Sequence, residues 1–254
     1  MKRLFLLVLL LLVTASRNVC AYDYETIEET ERSPHFEISF ENDFVSRYVW
    51  RGFAYTQGPA MQPALTATYR GFQAEVWSNF VLNDEPNQGR FNEVDPSIEY
   101  EWNIGKFKLV PQFEIYTYPN QKDSKMAGEL GLEADYELGP ISLKTVHFGH
   151  VVHHLGAYFG EFDVVWEHDI LPVLSVETEA GLAWATAKFN QVYGGLSHAA
   201  LNYFRWRLAF EYTPVKQVSL QPHMEVYALT DGKLRAAVAD PQIVCGGLLI
   251  GLHF

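Results

Sequence analysis

From Phe36 onward the chain alternates apolar and polar residues with a period of two, and the alternation is renewed over segment after segment up to the last residue. In the first segment Phe36, Ile38, Phe40, Phe44, Tyr48 and Trp50 fall on one phase, and Glu37, Ser39, Glu41, Asp43, Arg47 and Arg51 on the other. Side chains two apart share a face of a strand, so the pattern predicts a strand with one apolar and one charged face running on to Arg51. Residues 52–61, with Gly58-Pro59, read as a loop, and a second strand over 62–70 turns at Arg70-Gly71 into a third over 72–82. Long polar loop, strand, tight turn and strand then follow one another. Loops are expected at 83–92, 119–125, after Phe148, at 188–200 and at 230–241; tight turns are expected at Ile104-Gly105-Lys106, Gly139-Pro140, 169–172 and 214–217.

The result is about twelve strands of about ten residues, an even number with alternating short and long connections, as in a transmembrane antiparallel up-and-down β-barrel of the all-β class. A soluble sandwich would bury its apolar faces in a core. Here those faces carry large aromatics while the opposite faces carry charge on nearly every strand, which suits a wall with lipid outside and water inside. The closing strand agrees. Val244, Gly246, Leu248, Ile250, Leu252 and Phe254 share one face, and a terminal aromatic preceded by Leu252 and Ile250 resembles the signal read by the outer-membrane barrel assembly machinery.

The amino terminus carries a basic head, Met1-Lys2-Arg3, an apolar run over 4–15 and a small-residue site at Val19-Cys20-Ala21. This predicts a signal peptide over 1–21, an acidic flexible lead over 22–34 and a barrel over 35–254. Cleavage removes Cys20 and leaves Cys245 without a partner, so no internal disulfide is expected. The chain is 48% hydrophobic and 15% aromatic, yet beyond the leader it has no apolar run of the roughly 18 residues that a membrane helix needs. Its formal charge of −12 becomes −15 once Lys2, Arg3 and Arg17 leave with the leader, which disfavours nucleic acid and anionic surfaces as partners. The expected setting is the lipid of a bacterial outer membrane, with the chain as a monomer.

Ser46-Arg-Tyr-Val-Trp-Arg-Gly-Phe53, then Gln57-Gly-Pro-Ala-Met-Gln-Pro-Ala64, then Gly71-Phe-Gln-Ala-Glu-Val-Trp-Ser78 resemble the N-terminal region of the TorF family of porins. The likeness covers roughly residues 36–80. It implies a pore-like outer-membrane protein of unassigned substrate.

The inward phase is rich in acids. Glu41, Asp43, Glu75, Glu99, Glu114, Glu133, Asp163, Glu179 and Glu225 are candidate pore-lining residues, and Arg47, Arg51, Arg205 and Arg207 are set among them. Fewer cations than anions predicts an aqueous lumen that favours cations or neutral polar solutes, with the arginines pairing part of the lining at the narrowest zone. Such charges could also pair and fill so small a barrel, leaving a plugged, structural or adhesive wall. Ser197-His198 invites comparison with barrel hydrolases, but adjacent strand residues face opposite ways, so no enzyme is expected. His147, His150, His153 and His154 read as part of a polar external loop. They show no fixed ligand spacing, so no metal or other cofactor is expected.

Overall fold

The computed structural model describes residues 36–121 and 124–254; the leader and the lead predicted over 1–34 lie outside the described residues. Twelve antiparallel strands form the wall: β1 (Phe36–Val45), β2 (Ala60–Tyr69), β3 (Phe72–Val81), β4 (Arg90–Tyr100), β5 (Phe107–Tyr116), β6 (Ala127–Leu138), β7 (Ile141–Val152), β8 (Tyr158–Leu171), β9 (Leu174–Ala185), β10 (Ala200–Val215), β11 (Val218–Leu229) and β12 (Gln242–His253). Each pairs with the next, and Trp102–Ile104 prolongs β4 beside β5. The sheet closes where β1 meets β12, in register from Ser39 opposite His253 to Val45 opposite Gly247. Phe254 completes the seam: its N–H donates to the Ile38 carbonyl at 2.9 Å, and the Ile38 N–H donates to the Phe254 carbonyl at 3.2 Å. Closure leaves no unpaired edge, a condition for crossing a membrane with strands.

The in/out phases read from the sequence hold around the wall. Phe36, Leu65, Phe72, Ile98, Phe107, Leu130, Val164, Phe204 and Leu248 are exposed on the outside, whereas Asp95, Glu129, Asp163 and Tyr203 point inward and are buried. In water such an apolar exterior would be an association surface; against lipid it is the favourable one. Tight turns lie at one end, with Arg70 and Gly71 both at positive φ (51° and 82°), as a two-residue hairpin of primed type requires. We call this the turn end, and the opposite one, where the long connections lie, the loop end.

Three expectations change at the loop end. β1 stops at Val45, so Tyr48, Trp50, Arg47 and Arg51 belong to a connection and not to the wall. The loops predicted at 188–200 and 230–241 contain short helices, α1 (Ala187–Tyr193), with Thr186 as N-cap, and α2 (Gly232–Ala237), with the Asp231 side chain accepting from the Lys233 and Leu234 N–H groups. β7 extends to Val152, which places His147 and His150 on a strand and only His153 and His154 in a turn. Among the described residues, no helix is long and apolar enough to cross a membrane.

Candidate functional site: the lumen and its septum

The connection between β1 and β2 folds into the barrel. Val49 pairs with Ala54 and Trp50 with Phe53, so the chain reverses at Arg51 and Gly52, both at positive φ (48° and 80°). Two such residues make a tight hairpin turn. At Gly52 a side chain would also collide with the Tyr203 ring on the far wall, so glycine serves both the turn and the close approach. The base is tied by the Tyr48 N–H donating to Thr56 Oγ1 at 2.8 Å and the Tyr55 N–H donating to the Tyr48 carbonyl at 2.9 Å. Arg47 and Gln57 both reach Asp240, between α2 and β12, at 3.1 and 3.2 Å.

Arg51 crosses the lumen. Its two terminal nitrogens donate to the two oxygens of Glu129 on β6 at 2.9 and 2.7 Å, a bidentate pair whose side chains are 9% and 1% exposed. Its guanidinium carbon stands 4.3 Å from the ring centres of both Trp50 and Phe148 and 4.7 Å from that of Phe159, close enough for cation–π attraction. Glu129 also accepts from the Tyr116 hydroxyl at 2.8 Å and lies 2.8 Å from His150 Nε2, which is itself 2.8 Å from the Tyr193 hydroxyl on α1. A continuous latch thus runs from hairpin to wall to helix. Above and beside it Phe53, Phe159, Phe189, Tyr203, Tyr227, Leu229, Leu234 and Ile243 form a buried apolar cluster inside the loop-end half of the barrel. Hairpin and cluster together make a septum.

Below it the lumen is charged. Arg205 lies 2.9 Å from Glu161, 3.1 Å from Asp163 and 2.6 Å from Glu179; Arg207 pairs with Glu177 and reaches Glu225 at 3.5 Å. Lys144 holds Glu133 at 2.9 Å, Lys108 holds Asp135 at 2.8 Å, and His223 meets Asp43 at 2.9 Å. Glu41, Glu75 and Glu99 also face inward there and form no ion pair among the described residues, whereas Glu114, in register opposite Glu129, sits beside the latch and accepts from the Tyr116 hydroxyl at 2.7 Å. Half-buried carboxylates without a cation need water or mobile ions around them. Cys245, buried and free, borders a cavity of about 70 Å³ with Arg47, Val49, His223 and Glu225, directly under the hairpin.

Of the residues singled out from the sequence, all but Arg47 and Arg51 reach the lumen from the wall. Those two reach it from the hairpin, so the four arginines are not all carried by wall strands: two belong to a connection and two to β10. Trp50, Tyr116, Glu129, His150, Phe189 and Tyr193 complete the septum around Arg51, brought there from distant parts of the chain with no local motif to join them. Ser197 and His198 form no hydrogen bond with each other among the described residues; His198 instead lies 3.4 Å from Asp231. His147 faces outward beside Tyr158, 2.6 Å from its hydroxyl. No group of three or more His, Cys, Asp or Glu side chains among the described residues is placed to hold a metal ion.

No protein-family model and no curated protein sequence matches the chain. Among solved structures the fold is similar to that of the KdgM porin, with a TM-score of 0.53 at 10% identity over 86% of this chain and 99% of that one. The KdgM porin in complex with disordered oligogalacturonate gives 0.50 at 10% identity over 86% of this chain and 98% of that one. The NanC porin gives 0.50 at 9% identity over 85% and 98%. At such identities the likeness is one of fold: a single closed barrel of matching extent.

Proposed function

We propose that the chain is a porin-like channel of the bacterial outer membrane for small polar or cationic solutes, gated by the 46–58 hairpin and closed in the conformation described. The observation that carries this reading is the contrast between the two halves of the lumen. The turn-end half keeps carboxylates in excess over cations, which suits a wet, cation-attracting vestibule. The loop-end half is closed by a segment anchored at one buried polar latch. Uncompensated carboxylates of this kind do not serve a solid plug, whereas they set the sign of selectivity in a conduit. KdgM and NanC, whose fold the chain shares, are porins, and the TorF-like stretch over 36–80 includes the hairpin itself. Insertion into outer-membrane lipid through the Phe254 signal, a monomeric state and the lack of catalytic chemistry belong to the same reading.

The buried apolar cluster favours a second reading, a permanently plugged barrel serving adhesion or envelope integrity. Planar-bilayer recording of the refolded chain separates the two. A gated channel should show long closures broken by openings whose reversal potential in a salt gradient is that of a cation-selective pore. A membrane that stays silent with wild type and with Arg51→Gln alike would establish the plug.

A further inference from the structure

Beneath the Arg47–Val49 arm of the hairpin, the seam strands bring a thiol and an imidazole to the same small cavity of about 70 Å³. Cys245 on β12 stands in register opposite Glu225 on β11, and His223 is opposite Gly247, two residues nearer the turn end. The glycine is required. A Cβ at 247 would come within 2.4 Å of His223 Nε2 and 2.8 Å of Asp43 Oδ1, so a side chain there would part the two groups. Without one, His223 reaches across β12 to β1, where Nε2 lies 2.9 and 3.1 Å from the two oxygens of Asp43. A carboxylate only accepts, so the neutral imidazole carries its proton on Nε2 and leaves a bare lone pair on Nδ1. The side chain is 7% exposed, and Nδ1 has no hydrogen-bond partner among the described residues. That nitrogen lies on the Glu225 side of the ring, 3.9 Å from the carboxylate, and so faces toward the position paired with Cys245. The thiol is buried and free, and it does not donate to Nδ1.

We propose that Cys245 and His223 Nδ1 form a two-donor site for a soft, closed-shell monovalent cation of the cuprous and silver kind. A buried acceptor and a buried thiol that line one cavity without bonding each other leave space for a small occupant between them. Thiolate sulfur selects soft cations, and imidazole nitrogen accepts them. Asp43 behind the ring is the arrangement that supports a ligating histidine: it fixes the tautomer and orientation and raises the basicity of the nitrogen that binds. The number of donors then decides between ions. Zinc requires three or four protein ligands, and no group of three is placed for it among the described residues, whereas a cuprous or silver ion is satisfied by two donors in line. Glu225 does not act as a third, because it accepts from the Tyr227 hydroxyl and faces Arg207 at 3.5 Å. As the sulfur–metal bond forms, the thiol proton leaves to water, so cation and thiolate cancel and the buried unit is neutral. The surplus carboxylates of the lumen concentrate cations nearby, but the binding step does not rest on the channel reading.

The test uses the full chain carrying Cys20→Ala, so that Cys245 is the sole thiol, refolded in detergent and titrated calorimetrically with silver nitrate in chloride-free buffer. One silver ion per chain should bind tightly, and zinc should bind at least about a hundredfold more weakly. Cys245→Ser should weaken silver at least about a hundredfold and His223→Gln at least about tenfold, with heat-modifiability retained in both. X-ray absorption at the silver edge should show one sulfur and one nitrogen neighbour, and it reads the donor set with Cys245 and His223 in place, independently of how the two variants fold. Silver held through sulfur alone, unchanged affinity in His223→Gln, zinc bound as tightly as silver, or no stoichiometric binding would each overturn the proposal.

Discussion

Breaking the latch at Arg51 is the sharpest perturbation the septum offers. Arg51→Gln removes both charge-assisted hydrogen bonds to Glu129 and leaves a carboxylate that is 1% exposed with Tyr116 and His150 as its remaining partners and Glu114 at the facing position. Removing one partner of a buried ion pair typically costs about 3–5 kcal/mol. If that cost falls on hairpin docking, then at about 1.4 kcal/mol per decade the ratio of docked to released hairpin drops by roughly two to three and a half orders of magnitude. The surrounding strands are held by their own ladders, so the barrel should survive. Single-channel recording reads the effect as a large rise in open probability, with conductance set by the acidic lumen. Glu129→Gln should open the channel as well. The double variant should be less than additive, since each single change already removes the shared interaction. Wild-type dwell times in both single variants would refute the latch, and equal, fully additive effects would mean that the two residues act separately.

Arginine at the outward Val164, Leu208 or Ile250 should destabilise the folded barrel by about 2–4 kcal/mol in denaturant titrations, whereas Glu75→Arg on the inward face should cost much less; equal costs would invert the assigned faces. Asp163, inward but packed against Arg205 and Gly181, is an unsuitable control because its replacement breaks a buried network. Deleting Phe254 should lower the yield of heat-modifiable barrel in cells while leaving processing of the leader unchanged, because both backbone hydrogen bonds at the seam go with it. The N–H groups of Leu234 and Lys233, followed by His198, hold the Asp231 carboxyl below its ordinary pKa. A depressed carboxylate stabilises above the unfolded pKa and loses that contribution as pH falls through the folded one. Hydrogen exchange at Leu234 should therefore gain protection above about pH 4 and lose it below, and Asp231→Ala should abolish the dependence.

Wherever a strand separates lipid from water, parity alone tells the two sides apart, and this is why Phe204 against Arg205 or Leu130 against Glu129 could be assigned from the chain. At the hairpin the same rule misleads. Tyr48 and Trp50 keep the outward parity of β1, but an aromatic ring is as well served by an apolar cluster inside the barrel as by lipid outside. Gly52 alone was the legible sign of a reversal, since glycine takes positive φ freely, whereas Arg51 holds its positive φ only within the packed hairpin. What no local pattern could supply was the partner, because Arg51 and Glu129 stand 78 positions apart. The helices were hidden for another reason. Seven and six residues are too few for a helical period to emerge, and Thr186 and Asp231 announce only where each begins.

The placement of Cys245 gives the molecule a built-in reporter. Among the described residues its thiol is the one free cysteine, and it lies in a small cavity roofed by the Arg47–Val49 arm of the hairpin. A water-soluble methanethiosulfonate reagent arriving from the loop end must pass that arm to reach it. If the hairpin gates the channel as proposed, the labelling rate from that side should follow how often the arm lifts, and Arg51→Gln should raise it with no engineered probe to disturb the balance being measured.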